Sequence, residues 1–198
     1  MMPDPNVSSW RPDFLPADEQ FQRQARPLGD LVSDQVAETW IVWNLDFDEW
    51  FADLPVVLRL ASGRQLEVCW EKFDDCSITW NTIDLTETPR GWVEWPLQWR
   101  RAAHAALEAI EHETIREVRT TTFEFTTHSV TGPCGSASTW LTTGMWLGTG
   151  NGGLHVFNAL DENGISGQRP VEDAAHRSQI IGKDDGRAPR SSPAVCPQ

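Results

Sequence analysis

Several short segments of the chain are rich in β-branched and aromatic residues, and between residues 66 and 85 apolar and polar residues nearly alternate; each segment predicts a β-strand. Alternation with a period of two places every second side chain on one face of a sheet, where Val, Ile, Thr and Trp are favoured. The segments that fit this description lie at 38–45, 56–60, 66–70, 77–85, 114–127, 138–148 and 153–160. The pattern predicts a mainly antiparallel sheet of about six strands with one covered face.

Two other segments have the period of a helix. In LDFDEWFADLP the apolar residues fall at i, i+3, i+4 and i+7, and Asp46, Asp48, Glu49 and Asp53 take the remaining faces. This predicts a short acidic helix at about 46–54. The strong helix formers of PLQWRRAAHAALEAIEHE predict the main helix at about 96–111, which covers the sheet. The fold class is therefore α+β.

The composition at the two ends predicts the domain boundaries. Residues 1–35 and 167–198 are rich in Pro, Asp, Ser and Gln and have few apolar neighbours. Such segments bury too little apolar surface to offset the entropy of ordering them. We therefore expect a single α+β domain at 36–166, a poorly ordered N-terminal segment at 1–35 and a disordered tail at 167–198.

The charge of the chain bears on its partners. The net charge is −13, and residues 36–160 contain 8 Lys plus Arg against 17 Asp plus Glu, a balance of −9. Binding to nucleic acid is not expected, because phosphate recognition needs clustered basic residues. The acidity serves either solubility or the attraction of a basic protein partner. The chain also has 11 Trp and no Tyr, and these indoles are expected in the core or on an aromatic binding surface.

The sequence also indicates the compartment. It contains no apolar run of about 18 residues or more and no basic start followed by an apolar stretch, so neither a membrane span nor a secretory signal is expected. The four cysteines, Cys69, Cys76, Cys134 and Cys196, form no CxxC pair. We expect reduced thiols and a cytoplasmic protein.

The segment GTGNGGLHVFNALDENG contains two motifs that suggest ligands. Gly148, Gly150 and Gly153 satisfy a GxGxxG pattern, but a strand-like segment follows where a nucleotide loop needs a helix, so a hairpin turn is favoured. The end of the segment resembles a calcium loop that lacks its first and last acids, and a turn with Asn163-Gly164 at its apex is favoured. No cofactor and no metal site is predicted.

Three segments, GRQLEVCW, SITWNTIDL and FNALDENG, resemble those of a set of small uncharacterised bacterial proteins of actinobacterial type. The resemblance covers roughly residues 54–165, and it implies no catalytic residue. Small, acidic, Trp-rich α+β domains are also similar in general character to immunity proteins, which neutralise secreted toxins.

These observations predict a non-enzymatic protein-binding module, of the immunity type, that inhibits a basic toxin domain. No catalytic motif supports an enzyme. The candidate binding residues are Asp46, Asp48, Glu49, Asp53, His155, Asp161 and Glu162. The alternative is a domain that binds a small molecule such as a carbohydrate, or a hydrolase, with a Trp-lined pocket and the last three of these residues at its rim.

Overall fold

Two antiparallel sheets and two helices form the part of the chain that the computed structural model describes, residues 7–91, 95–128 and 135–184. The N-terminal sheet contains β1 (Leu15–Pro16), β2 (Val36–Asn44), β3 (Glu49–Trp50), β4 (Val56–Leu60), β5 (Gln65–Glu71), β6 (Asp75–Trp80) and β7 (Leu97–Arg101). The C-terminal sheet contains β8 (Glu117–His128), β9 (Ser136–Gly148), β10 (Gly153–Asn158), β11 (Asn163–Ser166) and β12 (His176–Lys183). The helices are α1 (Ala17–Gly29) and α2 (Ala105–Ile110). The α+β class and the mainly antiparallel pairing are confirmed, but the number of strands exceeds the predicted six.

The strand order places hairpins side by side in both sheets. The N-terminal sheet has the order β1-β6-β5-β4-β2-β3, and β7 pairs with the other edge of β2. The C-terminal sheet has the order β11-β10-β9-β8-β12. Gly148 pairs with Gly153 across β9 and β10, and the Thr149 amide donates to the Gly152 carbonyl. The glycine-rich segment is therefore a hairpin turn, as the sequence predicted.

The main core lies between the two sheets and the helices. Every second residue of β4 and β5 contributes to it, and so do the inward residues of β8, β9 and β10; examples are Leu58, Val68, Val118, Met145 and Val156. All five side chains are fully excluded from solvent. The burial of this apolar surface is the main stabilising term of the fold.

A second core covers the opposite face of the N-terminal sheet. Val57 and Cys69, which alternate with residues of the main core, contact Val7, Trp10 and Ile83 in this second cluster. The covering residues come from the chain before β1, from the segment between β3 and β4, and from the segment between β6 and β7. The prediction of one covered face is therefore wrong for this sheet, whose central strands are buried on both sides.

Residues 7–35 contain helix α1 and pack on the core, whereas the sequence predicted a poorly ordered segment at 1–35. Helix α1 buries Ala17, Gln20, Phe21 and Leu28, and its first turn carries acids that suit the helix dipole. The Phe21 ring contacts Trp70 of the main core at a centroid distance of 6.2 Å. A few apolar residues are enough to pack this helix on the core because they share one helix face. Residues 1–6 lie outside the described part of the chain.

The predicted acidic helix at 46–54 is wrong. Asp48 has a φ of 51°, which ends any right-handed helix, and the Trp50 backbone pairs with Trp43 to form the short strand β3. Phe47 is 59% exposed, whereas Phe51 and Leu54 are buried in the second core. The helical spacing of these apolar residues arises from a turn, a short strand and a second turn.

The predicted main helix at 96–111 is also wrong in its first half. Residues 97–101 form β7, which pairs with β2 from Asn44 to Trp40. Ala102 then takes a φ of 49°, and only Ala105–Ile110 is helical. Pairing with a neighbouring strand overrides the local helix propensity of this segment.

The C-terminal segment contains a further strand that the sequence did not predict. β12 pairs with β8 along its length, and Gly182 lies against Gly29 of α1, where a Cβ atom would come within 2.9 Å of the Gly29 Cα. The sequence predicted a disordered tail at 167–198, whereas residues 176–183 pair with the C-terminal sheet. Residues 185–198 lie outside the described part of the chain.

Candidate functional site

The turn between β10 and β11 exposes an apolar side chain. Leu160 and Asp161 occupy the two central positions with φ values of 66° and 77°, and the Ala159 amide donates to the Glu162 carbonyl at 2.9 Å. Turns of this kind usually contain Gly, Asn or Asp, and a leucine with positive φ is unfavourable. Leu160 is nevertheless 82% exposed. Neither folding nor solubility explains a strained and exposed leucine, which favours a role in contact with another molecule.

The β5–β6 loop lies beside this turn and adds a second exposed apolar residue. The Asn158 side-chain amide donates to the carbonyls of Lys72 and Phe73 at 2.8 and 3.0 Å, and Lys72 forms a β-bridge with Asp161. Phe73 is 50% exposed and its ring contacts Phe125. We refer to Phe73 and Leu160, with the flanking acids Glu71, Asp74, Asp161 and Glu162, as the Leu160 surface.

The Leu160 surface is negatively charged. The loops at 71–75 and 158–162 contain five carboxylates and one ammonium, that of Lys72, which lies 3.7 Å from Asp75. Burial, and then the charge of Asp53, raise the pKa of Glu162 above its usual value. A positive group placed here would relieve this repulsion. Asp53, Asp161 and Glu162 were predicted as candidate binding residues, and the structure places them close together.

Asn163 fixes the Leu160 surface to the rest of the fold. Its side-chain oxygen accepts from the Trp70 amide at 2.9 Å, and its side-chain nitrogen donates to the carbonyls of Ala52 and Leu54 at 2.6 and 3.0 Å. The residue is 1% exposed. Asn163-Gly164 therefore begins β11 and is not the apex of a turn, which corrects the sequence prediction.

The other predicted acids surround the β2–β3 turn. Asp46 and Glu49 are exposed, and the Asp48 carboxylate accepts from the Trp43 indole at 2.8 Å and from Arg100 at 3.2 Å. These two hydrogen bonds hold the pKa of Asp48 below its usual value. Arg100 also lies 4.7 Å from the Trp43 ring centroid. The Asp48 carboxylate is thus engaged within the protein.

His155 lies apart from the acids that were predicted to share a pocket rim with it. Its Nε2 atom is 3.1 Å from the Thr121 hydroxyl, and its ring stacks on Phe157. Gly144 makes this packing possible, because a Cβ atom there would lie 2.6 Å from the same nitrogen. Burial lowers the pKa of His155 to about 4. Among the described residues no hydrogen bond joins His155 to Asp161 or Glu162.

A row of polar side chains, which we call the polar seam, crosses the face of the N-terminal sheet that carries the second core. Arg101 and Arg59 both contact the Glu38 carboxylate, at 3.3 and 3.4 Å. The Arg59 Nε atom donates to Gln65 at 3.1 Å, and Gln65 in turn donates to Glu67 at 2.8 Å. The polar seam therefore connects strands β7, β2, β4 and β5.

Glu67 is the buried end of the polar seam. It is 1% exposed, and one carboxylate oxygen accepts from the backbone amides of Thr82 and Ile83 at 2.7 and 2.8 Å. The other oxygen accepts from the hydroxyls of Thr79 and Thr82 at 2.5 and 2.6 Å. With the Gln65 bond, five donors meet this carboxylate. Glu67 therefore holds the segment after β6 in place.

A cavity opens beside the polar seam. It has a volume of about 330 Å³ and is lined by Arg59, Leu60, Gly63, Gln65, Asn81 and Ile83. This lining contains no tryptophan, so the cavity differs from the Trp-lined pocket of the alternative prediction. Glu67, Arg59 and Asn81 were not among the residues predicted from the sequence. A carboxylate in the middle of a strand-forming segment, Gln65–Glu71, was the signal that could have found Glu67.

Comparisons with known proteins give no relative. The chain matches no family model, no curated protein and no solved structure. Within residues 7–91, 95–128 and 135–184, no cluster of three or more His, Cys, Asp or Glu side chains is arranged to hold a metal ion. Neither α1 nor α2, the helices of this part of the chain, has the length and apolar character needed to cross a membrane.

Proposed function

We propose that the chain is a non-enzymatic protein-binding module that uses the Leu160 surface to bind a basic partner. The observation that carries the proposal is Leu160, a leucine with positive φ that is 82% exposed between acids. Inhibition of a basic toxin domain, as immunity proteins perform it, is the form of this function that the sequence predicted. That role and the cytoplasmic location stay predictions.

The chemistry of the surface defines the partner. An exposed leucine and phenylalanine supply apolar contact area that gains free energy when a partner covers it. The surrounding carboxylates attract Lys and Arg side chains and increase the rate of association. The partner therefore presents an apolar side chain or pocket within a basic surface.

The rigidity of the site supports the same function. Asn163 and Asn158 hold the two loops through hydrogen bonds to backbone carbonyls. A preorganised surface loses little conformational entropy when it binds. Glu162 has a pKa raised by burial and by Asp53, so a cation from the partner stabilises its ionised form.

The experiment measures binding to the protein products of the genes adjacent to the one that encodes this chain, by isothermal titration calorimetry. Leu160→Ser is compared with Val171→Ser, because Val171 is also an exposed apolar residue, at 70%, but lies elsewhere. We expect Leu160→Ser to weaken binding at least about tenfold and Val171→Ser to leave it unchanged. Equal affinities for these two variants would refute the assignment of the surface.

A second pair of variants tests the charges. Asp161→Asn/Glu162→Gln removes two acids from the Leu160 surface, and Asp18→Asn/Glu19→Gln removes two exposed acids from α1. Only the first pair should lower the association rate constant, by roughly threefold to tenfold at low ionic strength. The same pair should also make that rate constant less dependent on salt. If no adjacent product forms a complex even at low salt, the proposed function is wrong.

A further inference from the structure

The cavity beside the polar seam has both apolar and polar lining residues. The apolar ones, Leu60 and Ile83, are 3% and 6% exposed. Gly63 lies at the mouth with a φ of 87°, and no atom lies within 4 Å of the position that its Cβ would occupy. Arg59 near the end of β4 and Asn81 just after β6 line the cavity, and both are hydrogen-bonded to Gln65 between them. A volume of about 330 Å³ is sufficient for a small organic molecule.

The rim contains two hydrogen-bond donors without acceptors. Arg59 uses Nε for Gln65 and Nη1 for Glu38, and the described residues place no acceptor on Nη2. Asn81 accepts from the Gln65 amide through its side-chain oxygen at 2.8 Å, and no described residue accepts from its side-chain nitrogen. Two donors on the rim of one cavity complement a group with two acceptor oxygens.

The charges near Arg59 select among such groups. Glu38 lies 3.4 Å from the guanidinium. The two hydrogen bonds from Thr86, and to a smaller extent the charge of Arg59, hold the pKa of Asp84 below its usual value, so two carboxylates act on this one cation. They repel a group with two negative charges, such as phosphate, more strongly than a monoanion. A carboxylate carries one charge and two acceptor oxygens.

The wall of the cavity is held in one conformation. Asn81 has a φ of 58°, and its backbone amide donates to the Gln65 carbonyl at 3.0 Å. The next two residues, Thr82 and Ile83, are anchored by their amides to Glu67. Glu67 is therefore a positioning residue for the donor on Asn81, and the cavity needs little rearrangement to bind a ligand.

We propose that this cavity binds a small monocarboxylate with an apolar body. One carboxylate oxygen accepts from Arg59 and the other from Asn81, and the apolar part covers Leu60 and Ile83. The proposal is independent of the Leu160 surface, since the two sites share no residue.

The experiment titrates the full chain with sodium benzoate and follows the side-chain NH2 of Asn81 and the Nε–H of Arg59 by ¹H–¹⁵N NMR. We expect saturable shifts with a Kd of about 1 mM, and binding of benzamide, the neutral analogue, that is at least about tenfold weaker. Unsaturated shifts up to about 50 mM benzoate, or equal affinity for benzamide, would overturn the proposal.

Three variants show whether the assigned donors act. Arg59→Gln removes the cation, and Asn81→Asp keeps the shape and the acceptor, removes the donor and adds a negative charge that repels a carboxylate. Each should weaken benzoate binding at least about tenfold. Arg64→Gln is the matched control on the same hairpin, because Arg64 stacks on Trp80 and donates to the Asp30 carbonyl outside the cavity. If Arg64→Gln weakens binding as much as Arg59→Gln, the site is wrongly placed.

Discussion

Replacement of Glu67 by leucine tests how much the polar seam stabilises the fold. Leucine has a similar length but no acceptor, so the amides of Thr82 and Ile83 lose their shared partner. The hydroxyls of Thr79 and Thr82 can rotate to other partners, and Gln65 keeps its bond to the Ile83 carbonyl at 2.9 Å. The lasting loss is therefore two fixed backbone donors inside the protein.

The size of the effect follows from those two donors. A buried and unpaired N–H costs about 1–3 kcal/mol, so Glu67→Leu should lower the free energy of unfolding by about 4 kcal/mol. Glu67→Gln keeps an oxygen toward the two amides and turns an NH2 group toward hydroxyls that can accept. It loses only the contribution of the charge, about 1–2 kcal/mol.

Urea denaturation followed by tryptophan fluorescence measures both variants. Glu71→Leu and Glu71→Gln are the controls, since Glu71 is exposed at the end of the same strand, and both should stay within about 0.5 kcal/mol of the unmodified chain. If Glu67→Leu is no less stable than Glu67→Gln, the two backbone donors do not depend on this carboxylate, and the reasoning fails.

Two further predictions concern His155 and Asn163. Burial lowers the pKa of His155 to about 4 from an ordinary 6.5, so between these values the unfolded chain binds a proton that the folded chain does not. This contribution to stability is fully present above pH 6.5 and decreases by about 1.4 kcal/mol per pH unit toward pH 4. Urea denaturation between pH 4 and 7 should show that the free energy of unfolding depends less steeply on pH in His155→Leu. An unchanged pH dependence in that variant would contradict the assignment. Asn163→Asp replaces the donor to the Ala52 and Leu54 carbonyls by an oxygen. Thermal unfolding should show that the free energy of unfolding falls by about 3 kcal/mol. Asn151→Asp, at an exposed position, should cost less than about 1 kcal/mol, and equal losses would show that the buried amide is not needed.

The strands were predictable because their signal is local. The β-branched and apolar residues of 56–60 and 66–70 are typical of strands, and the structure places β4 and β5 there. This local signal could not show that the second face is covered, since Val7 and Trp10 reach it from about 60 residues away in sequence. The prediction of one covered face failed for this reason.

The helices were less predictable because tertiary contacts decide them. Residues 97–101 have a helical composition but pair with β2, and Phe47 falls on a helical stripe although Asp48 turns the chain. Helix α1 has few apolar residues, and it forms because Phe21 and Leu28 bury on the main core. Propensity is a weak prior wherever such packing competes with it.

The candidate site was predicted in part. Sequence composition pointed to Asp53, Asp161 and Glu162, but the exposure of Leu160 and Phe73 depends on how two distant loops meet. The donors of the cavity, Arg59 and Asn81, belong to different strand ends that only the sheet brings together. Such proximity has no signature in a single sequence.

The polar seam also restricts how the N-terminal sheet can assemble. A shift of β5 by one residue against β4 and β6 would exchange its two faces. Glu67 would then enter the main core among Leu58 and Ile78, while Leu66 would meet the amides of the segment after β6. A buried carboxylate without donors costs several kcal/mol, about as much as a marginally stable domain can lose. One acidic residue therefore makes a one-residue slip of β5 unstable, and it favours the register in which its donors are in place.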